Sequence, residues 1–171
     1  MDMFSLDLGG IAAILSIFVA LYISKQWKDQ KRTEVIAKEA KEIIALLMKN
    51  QIILNHLKIE ENLEKVKREL DYIQNEYFNC LGRINYLSMS LVEDLEPLIH
   101  ELAESYINLL HIAEVNLDNQ PAAIEKIYFE MIKSNEGFQP FNESIENINM
   151  YSSKIIEIIF PYSVYQKYIK I

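Results

Sequence analysis

Residues 8–57 read LGGIAAILSIFVALYISKQWKDQKRTEVIAKEAKEIIALLMKNQIILNHL. The first 17 of them, Leu8 to Ser24, carry no charge. That is the short end of the roughly 17–25 residues that cross a bilayer as a helix. Phe4 extends the run if Asp7 sits at the interface. After Ser24 the apolar residues thin to a stripe of Val35, Ile36, Ala40, Ile43, Ile44, Leu47 and Leu54 at helical spacing. No Gly or Pro occurs between Ile11 and Leu81. The stretch therefore predicts one unbroken helix from Leu8 to Leu57, about 75 Å long.

The apolar run has three competing readings. A cleaved signal peptide needs a basic leading region and a small-residue cleavage site. Here Asp2 and Asp7 lead, and Lys25 follows Ser24 at once. A buried core helix also suits so short a run. The transmembrane reading agrees best with the flanks. All 17 Lys and Arg residues lie after position 24. Lys25, Lys28, Lys31, Arg32, Lys38 and Lys41 crowd one side, and basic flanks stay in the cytoplasm. The expected topology is N-terminus outside and residues 25–171 inside. Tyr22 and Trp27 bracket the boundary, where aromatic rings favour the headgroup region. Lys25, Lys28, Lys31 and Arg32 are placed for anionic headgroups.

Gly9, Ala13, Ser16 and Ala20 step by four, three and four, which sets small residues on one face of the span. Small residues let helix backbones approach closely in lipid, so this face predicts self-association. In a straight helix Ile36 lies opposite Gly9, so a different face can dock the cytoplasmic core.

A second pattern follows. Ile59, Leu63, Val66, Leu70, Ile73, Tyr77 and Cys80 alternate steps of four and three, an a/d seam flanked by Glu60, Glu64, Lys65, Lys67 and Glu69. Leu57 to Ile59 breaks the register, so a turn or skip is expected near 56–62. A coiled coil between subunits and an antiparallel hairpin within one both fit. Gly82 is the expected end of this helix. The next helix starts either at the capping box Ser90 to Glu93 or with Pro97 in its first turn, and runs to about Leu117. Leu91, Leu95, Leu98, Leu102, Leu109 and Ile112 point inward. Asp118 to Pro121 is a turn. Helices are expected at about 121–135, ending before Gly137, and at about 142–159, ending at Pro161. The tail from Tyr162 can form a short last helix.

The fold class is thus all-α. Residues 1–24 form the N-terminal transmembrane helix, 25–58 a juxtamembrane stalk helix, and 59–171 a cytosolic helical domain. Half of the 171 residues are apolar and the net charge is −8; the four Gly and four Pro are too few for a collagen-like or low-complexity disordered chain. The single cysteine, Cys80, rules out an internal disulfide and a four-cysteine zinc site. It reads as a small buried hydrophobe.

Catalytic motifs are missing. Gly stands only at 9, 10, 82 and 137, so no glycine loop cradles a phosphate. Di-iron bundles need Glu-x-x-His pairs, but Pro97 precedes His100 by three and Asn108 precedes His111 by three. His100 and His111, about 16 Å apart along a helix, cannot share one metal. No enzyme activity, cofactor or metal is expected. Charge is more telling. Residues 25–83 hold 12 basic and 10 acidic side chains, while 84–171 hold 5 basic and 13 acidic. The acidic half argues against duplex nucleic acid. Lys65, Lys67, Arg68 and Arg83 form the basic group outside the membrane flank. They read either as a solvated helix face or as a ligand-binding set for a phosphate-bearing molecule at a subunit junction. Tyr151, Tyr162, Tyr165 and Tyr168 pack the last helix or stack on a nucleobase.

The acidic start, the span Leu8–Ser24, the basic flank Lys25–Arg32 and a helical cytosolic part resemble the small single-span effectors of bacterial antiviral systems. The layout is similar in particular to the type III CRISPR membrane effector that senses cyclic oligoadenylate. This resemblance implies a homo-oligomer in the bacterial inner membrane that binds a cyclic oligonucleotide and perturbs the membrane through its spans. The alternative is a membrane-anchored helical adaptor that recruits a protein partner.

Overall fold

The computed structural model describes residues 8–118, 121–134 and 139–164 of the chain, with side-chain surroundings from Ser16 onward except at 118, 132 and 133. Among these residues five α-helices appear in order: α1 (Leu8–Leu57), α2 (Leu63–Ser88), α3 (Glu96–Ala113), α4 (Ala122–Lys133) and α5 (Gln139–Ser163). A π-helical turn, Glu114–Asp118, extends α3. No strand occurs among the described residues.

The long first helix is unbroken, as its lack of Gly and Pro requires. Its second half and α2 carry matching heptad seams. On α1, Ile36, Ala40, Ile43, Leu47, Asn50, Leu54 and Leu57 are buried; on α2, Val66, Leu70, Ile73, Tyr77, Cys80, Ile84 and Leu87 are buried. The chain reverses at 58–62, where Asn62 caps α2 by accepting from Lys65 N at 3.2 Å. The seam therefore closes as an antiparallel hairpin within one chain. Ile59, expected in the seam, lies in the turn and is exposed.

α1 packs against α2 and α5, and α3 packs against α2 and α5, so the four form a ring around one core. Gln51 Nε2 donates to Asn149 O at 3.0 Å and Lys58 pairs with Glu146 at 3.1 Å, so α5 runs antiparallel to α1. The order is up-down-up-down, with α4 in the α3–α5 connection. The residues 36–57 assigned to the stalk are thus one wall of the bundle. The part of α1 before Ile36 projects from it, and there almost every described side chain is exposed.

Two expected helix ends are corrected. α2 continues through Gly82 to Ser88, because Ile84 and Leu87 prolong the seam and are buried. The roughly 1 kcal/mol that a mid-helix glycine costs is outweighed by burying two large apolar side chains. α5 continues through Pro161 to Ser163. Tyr162, one residue on, is buried and its hydroxyl bonds Glu93 and accepts from Val92 N at 3.2 Å. That anchor holds the last turn against the α2–α3 loop. α5 also starts before the expected 142, at Gln139, with Pro140 in its first turn, a position proline tolerates. At α3 the proline start prevails: Pro97 is in the first turn, and Asp94 Oδ1 accepts from Glu96 N at 3.0 Å.

Among the described residues, no helix is long and apolar enough to cross a membrane. The side chains of the first eight residues of the expected span, 8–15, lie outside the description, as does the tail from 165.

Candidate functional site

The expected ligand set does not converge. Lys65, Lys67 and Arg68 stand at the start of α2, and Arg83 on its far side of Gly82. Because α2 is continuous, Arg68 and Arg83 are about 22 Å apart. Arg83 cannot swing to the other end of the helix. The cations are also engaged. Lys65 pairs with Glu60, and Lys67 with Glu125 of α4. Arg83 donates from Nε to Glu39 Oε1 and from Nη2 to Glu42 Oε2, each at 2.6 Å. Those two carboxylates hold its guanidinium more firmly charged than usual. Arg68 is exposed.

One cluster went unread in the sequence. His56, Glu60 and Glu69 bring ligand atoms within 4.8 Å of one another. His56 Nδ1 lies 3.0 Å from Glu69 Oε1, and Nε2 lies 3.4 Å from Glu60 Oε2. Lys65, then the Asn62 N–H, hold the Glu60 carboxyl below its usual range. The two carboxylates are already engaged by His56 and Lys65, so the cluster reads as a polar clasp between the α1–α2 turn and α2. Only the His56–Glu60 spacing hints at it in the sequence; Glu69 arrives through the chain reversal. His100 and His111 are exposed on α3.

Cys80 is fully buried, and burial pushes its thiol up to about 12. It is inert packing, not a nucleophile. It neighbours Tyr77 and Tyr106, whose rings are 5.6 Å apart.

Two surfaces stand out. The first is the groove between α2 and α3. It holds two clefts of about 550 and 540 Å³, and Phe78 borders both while being 70% exposed. Leu70, Ile107 and Leu110 line one with Asp71 and Glu114; Leu81, Ile99 and Ala103 line the other with Glu96. A glycine, Gly82, opens the second, since a Cβ there would meet nothing within 4 Å.

The second is the projecting arm of α1. Ile17, Phe18, Val19, Leu21, Tyr22 and Ile23 are each more than half exposed, and together they cover about two-thirds of the helix circumference, the remainder being taken by Ser16, Ala20 and Ser24, so no side carries a charge. Ser16 and Ala20 of the small-residue face are exposed; Gly9 and Ala13 lie outside the described side chains. At the arm's base Gln26 donates to Tyr22 Oη at 2.8 Å, and Lys31 sits 5.6 Å over the Trp27 ring. Lys25, Lys28 and Arg32 are exposed beside them.

No family model, curated protein or solved structure matches the chain.

Proposed function

We propose that this chain is a single-pass protein of the bacterial inner membrane, with its N-terminal side outside, whose helical bundle is an adaptor for a protein partner. Support for the anchor comes from the arm. An uncharged helical segment that is apolar around most of its circumference belongs in a core or a bilayer, and among the described residues no other element covers this one. Its exposed base changes abruptly to Lys25, Lys28, Lys31 and Arg32. Self-association through Gly9, Ala13, Ser16 and Ala20 belongs to the same proposal.

The observation that carries the recruiting role is Phe78, exposed at the junction of two clefts. An aromatic side chain left in solvent within an apolar groove marks an interaction surface. Asp71, Glu96 and Glu114 rim it, so the partner it fits is an amphipathic helix with a basic border. A photo-crosslinking residue at Phe78 should give one discrete adduct in cells, lost with Ile107→Glu. The same residue at Ile52, exposed on α1, should give none. Absence of an adduct from position 78 defeats the adaptor reading. A phosphatase fusion at Ile171 tests the topology, and activity in the periplasm defeats it.

Sensing of a cyclic oligonucleotide by an oligomer is the second reading. It retains exposed Arg68, and it requires Lys65 and Lys67 to leave Glu60 and Glu125. Calorimetric titration of the full chain with cyclic oligoadenylates decides it, and saturable heat favours it over the adaptor.

A further inference from the structure

α1 and the last turn of α2 enclose a cleft of about 300 Å³ on the side of the bundle from which the arm emerges. This is the small end of the range for ligand pockets. Its walls are apolar, formed by Val35, Leu87 and the exposed ring of Tyr86. Its rim carries Lys31, Arg32 and Ser90. Glu39 also borders it, but Arg83, which it shares with Glu42, offsets part of its charge, leaving Lys31 and Arg32 facing one partly compensated carboxylate. The cleft therefore presents net positive charge beside an apolar wall.

Its height is set by the helix. Lys31 and Arg32 follow Ser24 by seven and eight residues, about 10–12 Å along the axis. The polar layer of a bilayer is roughly 5–8 Å deep on each side. Long basic side chains close the remaining distance by reaching toward the interface. If Leu8–Ser24 is the span, the cleft opens onto the cytoplasmic headgroups.

We infer that this cleft binds the headgroup of one anionic phospholipid, its phosphate held by Lys31, Arg32 and the Ser90 hydroxyl and its glycerol against Tyr86 and Val35. Phosphate suits this rim because a guanidinium and an ammonium supply several charge-assisted donors at once. The inference rests on the membrane-anchor reading and goes beyond a diffuse attraction of the basic flank, since Tyr86 and Leu87 of α2 and Ser90 just after it complete the site.

Trp27, the only tryptophan, sits beneath Lys31 and reports on the site. Full-length protein is placed in phosphatidylcholine vesicles containing an equal fraction of brominated phosphatidylcholine or brominated phosphatidylglycerol. Trp27 should be quenched by both and preferentially by the anionic lipid. Lys31→Gln with Arg32→Gln should reduce that preference at least about fivefold. The cleft-filling Ser90→Phe and the wall variant Tyr86→Ala should reduce it too, while leaving the helical circular dichroism unchanged. Lys25→Gln with Lys28→Gln should reduce it less. Equal loss from the two basic pairs, with no effect of the Ser90 and Tyr86 variants, would overturn the cleft and leave the anchor standing. Removal of the preference by soluble glycerol 3-phosphate would show a free phosphate compound as the ligand and overturn the lipid assignment. No quenching by either lipid would mean that the arm is not in the membrane, and the anchor reading would fail first.

Discussion

Arg83 is bound to Glu39 across the α1–α2 interface, Nε to Oε1 at 2.6 Å, with both side chains under one-third exposed. The contact joins residues 44 positions apart and makes Arg83 a structural clasp. Arg83→Ala should therefore lower stability by about 1 kcal/mol, the scale of a charge-assisted but partly solvated pair. For a domain of this size that is about 2–4 °C in Tm. Thermal unfolding followed by circular dichroism measures it. An unchanged Tm would mean that solvent replaces the pair without loss.

Gly82 should be replaceable with gain. It sits inside α2, and an added Cβ meets nothing within 4 Å. Gly82→Ala should raise stability by about 0.5–1 kcal/mol through lower unfolded-chain entropy and better helix propensity. A lower urea midpoint for this variant would show that the cleft beside Gly82 is closed in solution.

Asn50 and Tyr106 form a polar link in the core, Nδ2 to Oη at 3.2 Å, while Asn50 Oδ1 is buried without a partner. Tyr106→Phe removes the acceptor and should cost about 1–3 kcal/mol, the penalty for an orphaned buried donor. Adding Asn50→Leu removes both unpaired groups. The double variant should be more stable than Tyr106→Phe alone, as a double-mutant cycle in urea would read. Additive losses would refute the coupling.

Alkali should weaken the fold through Cys80. Burial pushes its thiol from 9.0 up to about 12, so the folded state favours the protonated form. The contribution is complete below about pH 9 and is lost as pH rises toward 12, at about 1.4 kcal/mol per unit. Tyr106 acts in the same direction from about pH 10, its phenol also raised by burial. Between pH 9 and 10 the urea midpoint of the wild type should fall more steeply than that of Cys80→Ala. Parallel slopes would show that the thiol titrates freely in the folded state.

Ser16→Leu tests the small-residue face, since a bulky side chain there forces packed spans apart. Its oligomer mass in detergent should fall. An unchanged mass would show that the spans do not pack through Ser16.

The sequence by itself determined the helices and their buried faces. The unbroken run from Leu8 to Leu57, the seam from Val66 to Cys80, the inward Leu91, Leu95, Leu102 and Leu109 and the buried Cys80 were all legible, because helical period and the absence of breakers are local properties. Gly82 and Pro161 misled for the same reason. Each is a local stop signal, and each is overridden by a long-range contact: Ile84 and Leu87 in the hairpin core, and Tyr162 on the α2–α3 loop. Only the tertiary structure decided which cations are engaged. Lys67 meets Glu125, 58 residues on, and Arg83 meets Glu39, 44 residues back. A charged side chain is committed by whatever face is packed opposite it, and no spacing along one helix contains that face.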